Sequence, residues 1–325
     1  MNDFLSHFKF AQFQFVLTAV DCIYLPAYKG STFRGGFGHA FKKVVCVNRE
    51  RICGSCLLKE KCVYSYVFET PPPSDTSKMR KYPFAPHPFV ITPPLEEKRT
   101  YRQNDPLCFE LTLIGKSIDF LPYFIYTFDE LGKMGIGKGK GKYQLEEVRA
   151  IQVGERSKTK DGEAIVIYSG KDKTLRNNFK VLTVDDIGLF NFSPSSLHLD
   201  FLTPTRLKYD GKLSPDLEFH ILVRNLLRRT SLLSYFHCEE QLDLDFKGLI
   251  EEAKDVKVQK ENLRWVDWER YSNRQETKMK MGGFTGSIIF GGDFEKYLPF
   301  LLLGEHIHVG KGTSFGLGKY EIRTF

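Results

Sequence analysis

Residues 109–145 and 286–322 repeat one ordered plan, and that repetition restricts the folds open to the chain more than any other feature of its sequence. The first copy runs FELTLIG (109–115), LPYFIYTFDELG (121–132) and GKGKGKYQL (137–145). The second runs GSIIFGG (286–292), LPFLLLG (298–304) and GKGTSFGLGKYEI (310–322). In each, a β-rich run ends in Gly, a segment with Pro in its first turn reads as a helix closing on Leu-Gly, and a glycine-rich loop enters a Lys-Tyr strand. Leu121 precedes its Gly-Lys-Gly by sixteen residues and Leu298 by twelve, so the copies differ by about one helical turn.

The segments ahead of these copies also correspond. FQFVLTAV (13–20) leads to the stretch from Phe33 to Val45, and LHLDFL (197–202) leads to the stretch from Asp216 to Phe236. Both read as strand, loop, helix. In the later helix Phe219, Leu222, Val223, Leu226, Leu227, Leu233 and Tyr235 form an apolar stripe, and Arg224, Arg228 and Arg229 lie on another side. Each half is therefore predicted as β-α-β-β-α-β, and the chain as an α+β protein of two tandem ferredoxin-like domains with antiparallel sheets. Residues 70–105 are too rich in Pro for regular structure and read as an extended excursion. In 151–169, Asp161-Gly162 reads as the turn of a hairpin. The predicted organisation is an N-terminal domain over 1–150, a connecting β-hairpin over 151–190 and a C-terminal domain over 191–325.

At 325 residues and 42% hydrophobic, the chain can fill two ordinary cores. No apolar run reaches the ~18–20 residues that a bilayer span requires, and the N-terminal stretch carries Asp3 without a cationic lead. Neither a membrane partner nor a signal peptide is predicted, and a cytoplasmic location is expected. A net charge of +7 favours polyanionic partners through counterion release. Both glycine-rich loops are basic: Lys138 and Lys140 lie in the first, and Lys311 lies among Gly310, Gly312, Gly316 and Gly318 in the second. Such loops bring backbone N–H groups close to a phosphate, and neither has the frame of a Walker A motif.

Four of the seven cysteines cluster as Cys46, Cys53, Cys56 and Cys62, a C-x6-C-x2-C-x5-C run of seventeen residues inside a predicted insertion over 46–70. Four thiolates at this spacing suit a closed, structural zinc site, with an iron–sulfur cluster as the alternative. The isolated Cys22, Cys108 and Cys238 are expected to be buried.

Taken together, FRGGFGHAFKKVVC, CGSCLLKEKCVYSYVFE, LGKMGIGKGKGKY, FLTPTRLK, LVRNLLRRTSLL, WVDWERYSNRQ and HVGKGTSFGLGKYEI resemble the RAMP superfamily. Within it they are similar to the CRISPR precursor-RNA-processing endoribonucleases of the Cas6 family, in its cysteine-bearing branch. The resemblance implies a partner, CRISPR repeat RNA within precursor crRNA, and metal-independent cleavage by the ribose 2′-OH to a 2′,3′-cyclic phosphate and a 5′-OH. It also implies mature crRNA as the product, association with a CRISPR effector complex, and a monomer or homodimer. A non-catalytic RNA-binding subunit is the rival from another class, and an iron–sulfur redox protein is a third reading.

Cleavage of that kind needs a base, an acid and a cation for the phosphorane charge. His39, with Lys43 one turn along, is the foremost catalytic candidate, and Tyr28 and Arg34 in the preceding loop are the others. RNA contacts are expected from Lys42, Lys138, Lys140, Arg228, Arg229, His308 and the Gly310–Gly318 loop. Arg270, Tyr271 and Arg274 in WVDWERYSNRQ are expected to stack on or read unpaired bases, with Trp265 left to the core. His220 and His237 are expected to be exposed on their helix.

Overall fold

Strand β1 (Phe10–Ala19) alternates strictly, with Phe13, Phe15 and Leu17 buried on one side and Gln12, Gln14 and Val16 half-buried on the other. Around it the first half adds α1 (Gly30–Val45), β2 (Phe89–Thr92), β3 (Pro106–Ile114), α2 (Leu121–Met134), β4 (Tyr143–Ile151), β5 (Ile165–Ser169) and β6 (Thr174–Leu175). The second half is β7 (Ser196–Thr205), α3 (Phe219–His237), α4 (Phe246–Glu252), β8 (Lys257–Val266), β9 (Gly283–Gly291), α5 (Leu298–Ile307) and β10 (Tyr320–Arg323). The computed structural model describes residues 5–48, 52–73, 76, 78–79, 84–152, 164–187, 196–213, 216–272 and 277–323.

The first sheet has the order β2-β3-β1-β4-β5-β6 and the second β8-β9-β7-β10, each with antiparallel neighbours. Stripped of β5 and β6, the first order maps strand for strand onto the second. This is the ferredoxin-like arrangement expected from the repeat. The helices α2 and α5 have 14 and 10 residues, so the four-residue spacing difference in the sequence is one turn of helix. The loops correspond at the level of single bonds: the Lys138 N–H donates to the Tyr24 carbonyl at 2.9 Å, and the Lys311 N–H to the Arg206 carbonyl at 2.9 Å. In each case a Gly-Lys peptide closes onto the turn after the first strand of its half.

Three expectations are corrected. The Pro-rich excursion contains a real strand: β2 pairs along β3 from Phe89↔Leu113 to Thr92↔Glu110, at the sheet edge where the flanking Pro88 and Pro93 withhold no ladder bond. Helix α1 begins at Gly30 rather than near Phe33, because glycines in its early turns admit close neighbours: a Cβ at Gly30 would strike the Phe315 carbonyl, and one at Gly38 the Phe68 ring. Cys22 is exposed, and Cys108 and Cys238 are half-buried. The connecting segment adds β5 and β6 to the first sheet beside β4, while its predicted turn at Asp161-Gly162 lies outside the described residues. No helix among the described residues is long and apolar enough to cross a membrane.

Each half has its own core. Phe37 of α1 is central to the first, stacked on Phe41, Phe124 and Phe128 with centroids 4.9, 4.8 and 5.2 Å away. The second core gathers β7, β9, α3 and α5, and it takes in Phe8, Phe10 and Leu182, so the start of the chain and the connector lie against the second half. Phe37→Ala is expected to cost ~3–5 kcal/mol, from lost burial plus an unfilled cavity. Urea unfolding of wild type and variant checks this, and a loss under about 1 kcal/mol would contradict the central place given to that ring.

Candidate functional site

The first turn of α1 is docked on the C-terminal glycine-rich loop. Gly30 lies against the Phe315 carbonyl, which accepts the Tyr28 hydroxyl at 2.8 Å. Burial raises the Tyr28 phenol far above its ordinary value, so it stays protonated and serves as a donor. The guanidinium of Arg34 lies 4.0 Å from the Phe68 ring centroid and 4.7 Å from that of Phe315, and one of its N–H groups approaches His87 Nε2 at 3.1 Å. Burial, and then the Arg34 charge, push the His87 pKa down to about 3, which keeps this ring neutral. Nε2 therefore accepts from Arg34, Nδ1–H donates to Thr70 Oγ1 at 2.9 Å, and the Thr70 hydroxyl donates to the Val67 carbonyl at 3.2 Å. The relay runs in one direction and fixes one tautomer of His87.

The four predicted catalytic residues thus fall into two sets. Tyr28 and Arg34 are built into the contact between helix and loop. His39 and Lys43 are exposed one turn apart on α1, and Gly35, one turn before His39, has nothing within 4 Å of where a Cβ would stand. Gly35, His39 and Lys43 form a strip open to a polymer. Lys42 is half-buried, with its ammonium 5.3 Å from the Tyr64 ring centroid.

The basic residues divide in the same way. Lys311 is exposed beside Lys208, Arg206 and Arg228; burial and then these cations hold its ammonium below its ordinary pKa. Arg228 and Lys311, far apart in sequence, are brought together, and Arg206 and Lys208 join them. Lys138 and Lys140 are exposed in the first-half loop. Arg229, expected on the basic face, is instead buried: its Nε and Nη2 donate to the Ile307 carbonyl at 3.0 and 2.8 Å, capping the end of α5, and burial lowers its pKa to about 9. His308 is also buried, held by Thr92 Oγ1 at 3.3 Å and the Leu317 carbonyl at 3.2 Å. Gly310 and Gly312 are half-buried, whereas Gly316 and Gly318 are buried, so the second half of the loop is an interdomain plug.

The aromatic assignments reverse. Trp265 is 40% exposed, with its indole N–H donating to Asp267 at 2.9 Å, and Trp268 is the packed ring, 4.8 Å from Tyr28. A cleft of about 820 Å³ is lined by Tyr28 and Ser31 of the first half and by Asn262, Arg264 and Trp268 of the second. Arg270 and Tyr271 lie on a short strand, Glu269–Ser272, and Arg274 falls outside the described residues. His220 and His237 are buried, not exposed; His237 holds the Pro86 carbonyl at 2.8 Å and Tyr66 Oη at 3.1 Å. Sequence reasoning passed over His87, Thr70 and Phe68, whose roles depend on contacts between distant segments. Cys46, Cys53, Cys56 and Cys62 line one cavity of about 20 Å³. As they stand, no three His, Cys, Asp or Glu among the described residues are grouped to hold a metal ion.

A family model described as the N-terminal domain AF_1859_N matches residues 8–179, more than half of the chain, and the model of the CRISPR-associated endoribonuclease Cas6 matches residues 199–320. The chain is 25% identical over 313 residues to an uncharacterized protein of Archaeoglobus fulgidus, with 93% of each covered. It is similar to Thermus thermophilus Cas6 in a product complex, at 16% identity and a TM-score of 0.56, covering 97% of this chain and 99% of that one. It is also similar to a chain of a partial Cas6-RT-Cas1–Cas2 complex, at 13% identity and a TM-score of 0.58, covering 98% of this chain and 47% of that longer one. Both structural likenesses establish the tandem fold.

Three histidines, His87 half-buried and His237 and His308 buried, give the interface a pH dependence. The pKa of His87 is pushed to about 3 and that of His237 to about 4, and His308 lies well below its ordinary value, burial being the first cause in each. Unfolded, these rings titrate near ~6.5, so below that pH the unfolded chain binds more protons than the folded one. Their contribution is fully present above pH ~6.5 and is lost as pH falls from there toward the folded values, about 3 for His87 and about 4 for His237. Urea midpoints at pH 7 and pH 5 check this, and a flat profile would contradict neutral burial.

Proposed function

We propose that the chain, which belongs to the AF_1859_N family through residues 8–179 and matches the Cas6 model over residues 199–320, is a Cas6-type RAMP protein that binds CRISPR repeat RNA and cleaves it to release crRNA from its precursor. One observation carries the reading: the open strip of Gly35, His39 and Lys43 lies on a helix whose first turn is clamped to the loop that bears Lys311. In this reading the ribose 2′-OH beside the scissile phosphate attacks phosphorus and His39 takes its proton. The bond to the 5′-oxygen breaks as that oxygen takes a proton from water, the proton held by His39 returns to solvent, and the products are a 2′,3′-cyclic phosphate and a 5′-OH. The nucleophile is the substrate's own hydroxyl, so the reaction needs no metal-bound water. Lys43 offsets the charge that develops on the phosphorane oxygens. Tyr28 and Arg34 act by holding the loop, and the product passes to a CRISPR effector complex.

His39→Ala is expected to slow single-turnover cleavage by about 10²–10⁴-fold, because a positioned proton-transfer group contributes on that scale, while RNA affinity stays near wild type. Lys43→Ala should slow the reaction less and weaken binding slightly. The test pairs cleavage of repeat RNA in magnesium-free buffer with direct binding for all three proteins. Wild-type rates from folded His39→Ala would remove His39 from the mechanism; an inactive wild type that still binds repeat RNA would favour the non-catalytic reading.

Binding should weaken as salt rises, since each phosphate neutralised on a single strand contributes a slope of about −0.7 in log K against log salt. Lys311→Ala and Arg228→Ala are each expected to make that slope shallower by about one contact. A salt-independent affinity would contradict phosphate binding at the cluster.

A further inference from the structure

The described residues from Cys46 to Cys62 have no apolar interior of their own. Every residue described in this stretch is exposed or half-buried: Leu57 is 98% exposed, and Val47, Ile52 and Leu58 also face solvent. The stretch holds no strand or helix among its described residues, only turns. Ordering a backbone costs about 1–2 kcal/mol per residue, and the apolar contact set against it is small, with Cys53 and Cys62 packed in part on the first core. The feature that these turns share is the small cavity that their four cysteines line. The Cys56 N–H reaches the Cys53 carbonyl at 3.4 Å, and the Lys59 N–H reaches the Cys56 carbonyl at 3.0 Å, so Cys53 and Cys56 present their thiols from one turn. Cys46 and Cys62 close the same cavity from the two ends of the insertion.

We propose that Cys46, Cys53, Cys56 and Cys62 bind one zinc ion as four thiolates, and that this ion is what orders the insertion. The cavity that the four cysteines line is small, about 20 Å³, and has space for a single ion. Soft thiolates in a closed set of four select zinc among the common divalent ions and leave no position open for substrate, which makes the site structural. The balance is simple: four S–H bonds break, four protons leave, and four Zn–S bonds form without a change of oxidation state. Because the thiols surround the cavity without yet being grouped for ligation, closing the shell draws them inward, and metal binding and ordering of residues 46–62 become one event.

The position of the site gives it a consequence. Cys46 caps the C-terminal end of α1, and Cys62 leads into the turn Ser65–Glu69, which supplies Phe68 beneath Arg34. The ion therefore ties the far end of the His39 helix to the segment that clamps its near end. The inference stands apart from the proposed reaction and is read without RNA.

The test is metal analysis of the purified full chain, replacement of its metal by Co²⁺, and the same measurements on Cys53→Ser/Cys56→Ser and on Cys238→Ser as control. Expected are about one zinc per chain, an intense thiolate-to-cobalt absorption after replacement, loss of both in the double variant, and retention in the control. If the double variant does not fold, titrating wild type with a mercurial decides the matter: zinc should leave as four thiols react. A chain that carries no zinc and takes up neither zinc nor cobalt overturns the proposal. So does a brown preparation with several irons, a double variant that keeps its zinc, or disulfides among the four cysteines.

Discussion

The Phe315 carbonyl and ring join the two halves where both contribute to the candidate site. The carbonyl takes the Tyr28 hydroxyl and lies against Gly30, while the ring forms one side of the sandwich around Arg34. Neither contact survives a shift of about 1 Å, because a hydrogen bond and a tightly packed glycine both fail on that scale. The direction in which α1 leaves this contact, and hence where His39 and Lys43 stand, depends on it. The His87–Thr70–Val67 relay supports Arg34 from behind, and its neutral imidazole accepts a guanidinium N–H that a protonated ring would repel. The half-buried charge on Arg34 is tolerated because two aromatic faces and this acceptor replace the water it has lost.

The two glycine-rich loops show how one local device serves two purposes. Both close through the same Gly-Lys peptide onto the preceding turn, at Tyr24 in the first half and Arg206 in the second. The first loop then stays at the surface, with Lys138 and Lys140 exposed, while the second continues into a buried turn, Thr313–Phe315, that fills the space between the halves. Equivalent sequence therefore provides cationic surface in one case and an interdomain contact in the other. The difference lies in the residues beyond the shared peptide: Gly139 and Lys140 are solvated, whereas Thr313, Ser314, Phe315 and Leu317 are buried.

The parts that the sequence made legible are those set by local periodicity and by repetition. The Pro-initiated helices at Leu121 and Leu298, the alternating strand at Phe10–Ala19 and the one-turn difference between the copies all come from spacing alone. The parts that were not legible depend on pairing at a distance. Phe89–Thr92 is too short to alternate and all four of its residues are buried, so only its register with β3 marks it as a strand. His87 sits just before that strand among prolines, and its partner Arg34 lies 53 residues away. The exchange of roles between Trp265 and Trp268 has the same cause: both lie in one aromatic run, and only the docking of Tyr28 from the other half decides which ring is covered.

The charged and titratable groups of the interface sort by whether the fold has already satisfied them. Arg229 is spent on the last carbonyl of α5, and His87, His237 and His308 are all depressed in part by positive neighbours, Arg229 among them in each case. Such groups are held in one protonation state and can hold geometry, but they cannot exchange a proton near neutral pH without breaking the contact they make. Proton transfer to a reacting RNA requires a group that is accessible and whose hydrogen-bonding capacity the fold has not taken up. The exposed imidazole on α1 meets that condition where the other three do not. Lys208 and Lys311, exposed beside Arg206 and Arg228, supply the matching positive charge for phosphate, because repulsion among these cations, which adds to burial in lowering the Lys311 pKa, is relieved when an anion arrives. A site assembled from groups at the surface of a satisfied interior can keep its geometry while its surface residues vary, and its specificity then rests on the open cleft and strip rather than on the buried relay.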